Sequence, residues 1–245
     1  MTKFEWLVLA LIIVLSLYLL LRLTYPIKRV EQYKVDSLYS VMNCADKILT
    51  RHGIPYFITC GTLLGAERDG GLIPWDNDID LGIMADDWNK IYALKAEFEA
   101  VGLTLVDDDH IWRIREAAPE CDGSTDKPGC EHLTWLDIFP YIKDDTAGAE
   151  PGRLVHQLPI NRSRFPKEVL YESEVFPLVR KQFGPLMLPT PKDVTTVLNR
   201  FYGTGWRTPI ATQGQKDFLL GLANLGGRDV SGKYVAAMPS KQLTC

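Results

Sequence analysis

The sequence predicts an α+β domain held behind one N-terminal membrane-spanning helix, and three observations predict it. Trp6 to Leu21 is an apolar run unbroken by charge. The stretches after it mix helical and strand spacing without regular β-α-β alternation. No internal repeat or low-complexity segment interrupts them. A chain of 245 residues is long enough for one medium domain and a short appendage. A net charge of −4 and the absence of any Lys/Arg run leave no nucleic-acid surface.

A spanning helix takes about 20 residues, which the first run reaches if Arg22 snorkels at its end. A core helix would show a polar face, and none is present. The alternative is a cleaved signal peptide, but no small-x-small site follows the run. Orientation signals conflict. Arg22, Lys28, Arg29 and Lys34 outweigh Lys3 and place the domain in the cytosol by the positive-inside rule. Asn161-Arg162-Ser163 is a glycosylation sequon, whose use needs a lumenal domain.

After a stem from Pro26 to Glu31, apolar residues at 35, 38, 41, 42, 45, 48 and 49 predict a helix from Gln32 to Arg51, stopped by Gly53. Tyr56–Cys60 reads as a strand, and Gly61–Gly65 turns into a short helix. Ile79–Ile83 reads as a second strand. Asp86 or Asp87 is placed to cap a helix from Trp88 to Ala100, closed by Gly102. Leu103–Val106 and Ile111–Arg115 predict a hairpin, and Trp135–Tyr141 a further strand. Lys143–Lys167 is rich in Asp, Gly, Pro and Arg and reads as loop. Val175–Phe183 reads as a strand. Thr190, followed by Pro191 and Asp193, predicts a capped helix running to Tyr202. Beyond Pro209 no period is clear, and a helix or partial disorder is expected.

Five cysteines are present: Cys44, Cys60, Cys121, Cys130 and Cys245. Cys121 and Cys130 flank a stretch dense in turn formers. A disulfide closing that loop, zinc held with His132, and free thiols are three readings of it.

The densest chemical signal is Gly61-Thr62 followed by Ile73-Pro74-Trp75-Asp76-Asn77-Asp78-Ile79-Asp80. Alternate residues of a strand share one face, so Asp78 and Asp80 aim at one point while Ile79 and Leu81 face the core. Carboxylates that close repel unless a cation joins them, and Mg²⁺ or Mn²⁺ suits such a pair. Asp137, alone in the apolar strand Leu136–Phe139, supplies a third acid. Buried without a partner it would be costly, and a shared metal is one partner. A solvated acidic turn is the plain alternative. A calcium loop fits poorly, since Leu81 and Asp87 occupy its sixth and twelfth positions. Gly61 and Thr62 at a strand-to-helix junction would present amides to a phosphate. Arg68 would reach the same phosphate as a charged donor.

These residues resemble a known signature. Gly61-Thr62-Leu63-Leu64-Gly65, Arg68 and Ile73–Asp80 resemble the first block of the LicD/fukutin family. Leu136-Asp137-Ile138-Phe139-Pro140 resembles the second. Phe183-Gly184, Leu188-Pro189 and Tyr202-Gly203-x-x-Trp206 resemble the third. The resemblance covers roughly residues 53 to 209 and implies a nucleotidyltransferase-like small mixed sheet flanked by helices. It divides the chain into an anchor (1–25), a stem with its amphipathic helix (26–52), a catalytic domain (53–210) and a tail (211–245).

The resemblance also implies transfer of a phospho-alcohol, of ribitol phosphate or phosphocholine type, from a CDP-linked donor to a glycan hydroxyl. Asp78, Asp80 and Asp137 are then the catalytic and metal acids, with Asp76 a weaker member. Arg68 contacts donor phosphate, with Arg113, Arg115 and Arg180 as further candidates. Fukutin-type relatives work in the Golgi, which implies a lumenal domain in Golgi or ER, against the flanking charges. The chain departs from the family in being shorter than fukutin-type proteins, and in carrying Asn77 where relatives often have Asp or His. Transfer of the nucleotide itself, sugar transfer from a sugar nucleotide, and a non-catalytic membrane protein binding a glycan or partner are the other readings.

Overall fold

The computed structural model describes residues 2–24, 29–108, 111–118, 130, 133–208 and 236–245. It divides the chain into two compact units, one of Met1–Lys28 with Tyr202–Tyr234, the other of Arg29–Phe201 with Val235–Cys245. In the first, helix α1 (Lys3–Thr24) is apolar all round, with a mean hydropathy of 2.1 over Lys3–Leu20 and none of that window buried. At 1.5 Å per residue it spans about 33 Å, long enough to cross a bilayer core of about 30 Å.

The second unit opens with α2 (Gln32–Arg51), whose predicted apolar stripe is buried throughout. The chain leaves it through Gly53 at a positive φ of 63°. Strand β1 (Phe57–Ile58), helix α3 (Cys60–Arg68) and strand β2 (Ile79–Met84) follow. A 3₁₀ turn then leads into α4 (Trp88–Ala93) and α5 (Lys95–Ala100). Strands β3 (Leu103–Asp108), β4 (Ile111–Glu116), β5 (Trp135–Lys143) and β6 (Arg153–His156) come next, then α6 (Pro159–Arg164). Strand β7 (Leu170–Tyr171), α7 (Glu172–Val175), the pair β8 (Val179–Phe183) and β9 (Leu186–Thr190), and α8 (Val194–Tyr202) complete the elements.

The main sheet runs β1-β2-β5-β4-β3, with β6 on the far half of β5 and β7 beside β6. Among the described strands of this sheet only β2 and β5 pair in parallel; the other neighbours are antiparallel. This is the mixed sheet flanked by helices that the sequence predicts. The parallel pair matters most, because its register sets Asp80 beside Asp137 and Gly82 beside Phe139. Strand β4 adds Arg113 opposite Asp137. Residues paired this way project to the same face.

Several boundaries differ from expectation for identifiable reasons. Tyr56–Cys60 yields only a two-residue strand, because Cys60 already opens α3. The helix expected over 88–100 is two, broken at Leu94 (φ −90°, ψ 9°), and neither Asp86 nor Asp87 caps it through its side chain. Asp87 is instead held by Lys90 at 2.6 Å. The stretch read as loop over 143–167 contains β6, which pairs with β5 and β7, and the short helix α6. Val175 ends α7, so the expected strand starts at Val179. Thr190 is not a cap: it belongs to β9, and its hydroxyl donates to the Val179 carbonyl at 2.9 Å. Asp193 caps α8, accepting from the Thr196 amide at 3.1 Å and the Thr196 hydroxyl at 2.8 Å.

Candidate active site

The site is built where α3 abuts the parallel strands. Asp78 leads into β2, Asp80 lies on it and Asp137 on β5, and their carboxylate oxygens lie within 4.8 Å of one another. Asp137 is buried and the other two are partly buried. Helix α3 supports them from one side. The Gly61 amide donates to Asp80 Oδ2 at 3.1 Å, and the Asp80 amide donates to Thr62 Oγ1 at 2.8 Å. The Thr59 amide donates to the Asp80 carbonyl at 3.0 Å. Cys60 pays for this turn with a positive φ of 45°, an uncommon conformation for a side-chain-bearing residue.

Gly61 is where no side chain fits. A Cβ there would stand 2.8 Å from Asp76 Oδ2 and 3.5 Å from Asp80 Oδ2. That same distance pair draws Asp76 into the cluster as a fourth carboxylate. Gly61 and Thr62, expected to present amides to a phosphate, thus hold Asp80 in place.

Acids this close to Asp80 raise its proton affinity. Burial, then Asp78, Asp76, Asp137 and Glu168, push the Asp80 carboxyl well above its ordinary range. Glu168 was not singled out by sequence reasoning, since it lies in the stretch read as loop. Its Oε2 stands 2.9 Å from Nε2 of the buried His156. Arg113 relieves part of the charge, donating from Nε to Asp137 Oδ1 at 2.8 Å while its guanidinium stacks 5.1 Å from the Trp135 ring.

The crowding fits a divalent cation. Three oxygen donors converge on one point, the donor set is hard, and the excess negative charge is what such an ion neutralises. The other sequence candidates sit differently. Arg68 grips Asp69 bidentately at 2.9 and 2.8 Å, with side chains only 5% and 1% exposed, so its fork is filled. Arg180 pairs with Asp46 on α2 at 2.6 Å. Arg115 is buried on β4. Cys121 and His132 lie outside the described residues; Cys130 is buried and disulfide-bonded, so it is neither a free thiol nor a zinc ligand. Asn161, the sequon residue, is 3% exposed, so the folded domain has no room for a glycan on it.

A mixed sheet carrying paired aspartates on its parallel strands, backed by a glycine-led helix, is the frame of a nucleotidyltransferase-type domain. The chain belongs to the LicD/FKTN/FKRP family: the model of that family's nucleotidyltransferase domain matches residues 53–193. An uncharacterized protein of Rickettsia prowazekii is 32% identical over 174 residues, 71% of this chain and 57% of that protein. Human ribitol 5-phosphate transferase FKRP is 27% identical over 158 residues, 64% of this chain and 29% of that protein. Lipopolysaccharide cholinephosphotransferase LicD of Haemophilus influenzae is 28% identical over 107 residues, 42% of this chain and 40% of that protein. The chain therefore spans little more than half the length of the Rickettsia relative and less of the other two.

Proposed function

We propose that the chain is a metal-dependent transferase that moves a phospho-alcohol from a CDP-linked donor to a glycan hydroxyl. The observation that carries this reading is the convergence of Asp78, Asp80 and Asp137 within 4.8 Å on one sheet face. The named relatives, two of them a ribitol 5-phosphate transferase and a cholinephosphotransferase, support the class of group moved.

Asp78, Asp80 and Asp137, joined by Asp76, would hold Mg²⁺ or Mn²⁺. When bound, the cation supplies neutralising charge to the donor diphosphate and the leaving phosphate. The chain's own groups prepare that chemistry. Gly61 N–H and Thr62 Oγ1 fix the Asp80 strand, so that its carboxylate is aimed before substrate arrives. Arg113 holds Asp137 through its Nε on Oδ1 and so fixes that carboxylate on β5. The acceptor hydroxyl attacks the phosphorus distal to cytidine and its proton passes to Asp80 or Asp137; the bond to the CMP oxygen breaks and CMP departs.

We further place the domain on the lumenal side of a Golgi or ER membrane, with α1 as its anchor. The support is the Cys44–Cys245 disulfide, which an oxidising compartment preserves and the cytosol does not.

The test is CMP release by the full chain in detergent, with Mg²⁺ or Mn²⁺, a panel of CDP-alcohols and nucleotide sugars, and glycan acceptors, beside Asp80→Asn. Metal-dependent CMP release from one CDP-alcohol, reduced at least about 100-fold by the substitution, is expected. Release of the free phospho-alcohol in place of CMP, with the cytidylyl group on the acceptor, would assign nucleotide transfer instead. Release of a nucleoside diphosphate from a sugar nucleotide would assign glycosyl transfer. Partner or glycan binding with no turnover of any donor would assign a non-catalytic role.

A further inference from the structure

The segment 236–245 lies extended against α2 and is tied to it along its length. The Gln32 side-chain amide donates to the Met238 carbonyl at 2.8 Å. The Ser240 amide and hydroxyl both donate to the Asp36 carboxylate, each at 2.6 Å. At its end Cys245 is disulfide-bonded to Cys44, with the two Cα atoms 5.2 Å apart.

The near end of the same segment meets the chain that leads to the acidic cluster. The Ala237 amide donates to the Leu72 carbonyl at 2.8 Å. The Leu72 amide donates to the Tyr39 hydroxyl at 3.0 Å, and that hydroxyl donates onward to the Ala237 carbonyl at 3.0 Å. Three hydrogen bonds thus close a ring among α2, the terminal segment and the loop that reaches Asp76 four residues later. Tyr39 and Leu72 are buried, so water does not substitute in that ring.

The packing around the ring is tight. A Cβ on Gly71 would stand 2.6 Å from the Tyr39 hydroxyl and 3.0 Å from Ala236 Cβ. A Cβ on Gly184 would stand 2.4 Å from the same hydroxyl. The Gly184 amide also donates to the Gly70 carbonyl at 2.7 Å. The loop before the acids is therefore gripped by α2, by the β8–β9 hairpin and by the terminal segment together.

We propose that residues 236–245 are a strap that positions the acidic loop, with Tyr39 as the positioning residue and the Cys44–Cys245 bond as the latch. The link to cation affinity rests on the metal reading given above. Without the latch the strap is held by hydrogen bonds that are mostly exposed and individually weak. Its end regains chain entropy, the ring around Tyr39 opens more often, and the loop spends less time in the arrangement that gathers the acids. Apparent affinity falls by that lost fraction.

The experiment uses the full chain in detergent micelles. Hydrogen–deuterium exchange is read over residues 69–80, and Mn²⁺ binding by calorimetry. Wild type, wild type treated with dithiothreitol, Cys245→Ser and Tyr39→Phe are compared; Cys245→Ser separates the latch from reduction at Cys130. Exchange at Gly70–Leu72 about tenfold faster, with Mn²⁺ about five- to tenfold weaker, is expected in all three altered forms. Unchanged exchange at Gly70–Leu72 in Cys245→Ser and Tyr39→Phe, with residues 236–245 exchanging freely in Cys245→Ser, overturns the proposal. Mn²⁺ binding unchanged while exchange rises also overturns it. No Mn²⁺ binding by wild type, with the exchange effects present, supports the strap and strikes the metal reading alone.

Discussion

Asp80 bears the tension of the site. Its carboxyl is pushed above the ordinary value of 3.8 by burial and by four neighbouring acids. A carboxyl raised on folding penalises the ionised form, so the metal-free domain loses stability as pH rises from 3.8 toward the raised value and keeps that loss at neutral pH. A bound cation favours the ionised form and reverses the sign. Asp80→Asn should therefore stabilise the metal-free protein, on the order of 1–2 kcal/mol or roughly 3–6 °C in Tm at neutral pH. The Tm rise that Mg²⁺ or Mn²⁺ produces in wild type should vanish in the variant. Proton competition also makes wild-type Mn²⁺ affinity fall as pH drops below neutral. Differential scanning fluorimetry with and without metal checks both; a variant that melts lower without metal, yet keeps the metal shift, would refute the account.

At the scale of elements, the decisive contact is between α3 and the loop it faces. A Cβ on Gly65 would stand 2.4 Å from the Gly71 carbonyl and 3.0 Å from Ile73 Cγ1. Backbone cannot rotate away as a side chain does, so the helix and loop must separate. The Gly65 carbonyl also accepts the amides of Asp69, Gly70 and Gly71, tying helix end to loop. Gly65→Ala should cost about 1–3 kcal/mol in urea unfolding and weaken Mn²⁺ binding as well, although residue 65 lies outside the acidic cluster. A variant as stable and as tight as wild type would refute this.

Much of this level was legible in the sequence. The helix over 32–51, the alternate acids, and Asp137 in an apolar strand follow from spacing alone, because each pattern has one face to bury. The rest was not, because it depends on partners far along the chain. Arg113 reads as one charge on a strand until β4 registers against β5. Glu168 sits among loop-forming residues and gains meaning only beside His156. Arg68 reads from spacing as a phosphate donor or an exposed helix charge, and its pairing with Asp69 shows only in the structure.

At the scale of the whole molecule, the anchor proposed above puts the domain on the lumenal side. The flanking charges and the disulfide disagree, and the sequon drops out because Asn161 is buried. Absence of a glycan therefore says nothing about side. Cysteine state does: with the domain in an oxidising lumen, Cys44 and Cys245 should resist alkylation in the denatured chain until reductant is added. The domain should also survive protease added outside sealed vesicles. Both cysteines alkylated without reductant, with the domain digested, would place it in the cytosol.

The parallel pairing of β2 with β5 has one more implication, for the order of events during synthesis. Asp80 and Asp137 become neighbours only after the chain has passed through the intervening α4, α5, β3 and β4. Such distant pairings form slowly, because the loop they close must lose its freedom first. A nascent or half-folded chain holds its acids apart and has little to offer a passing ion. On the metal reading proposed above, cation capture marks a finished sheet, and a chain arrested before β5 joins stays inert toward the ion.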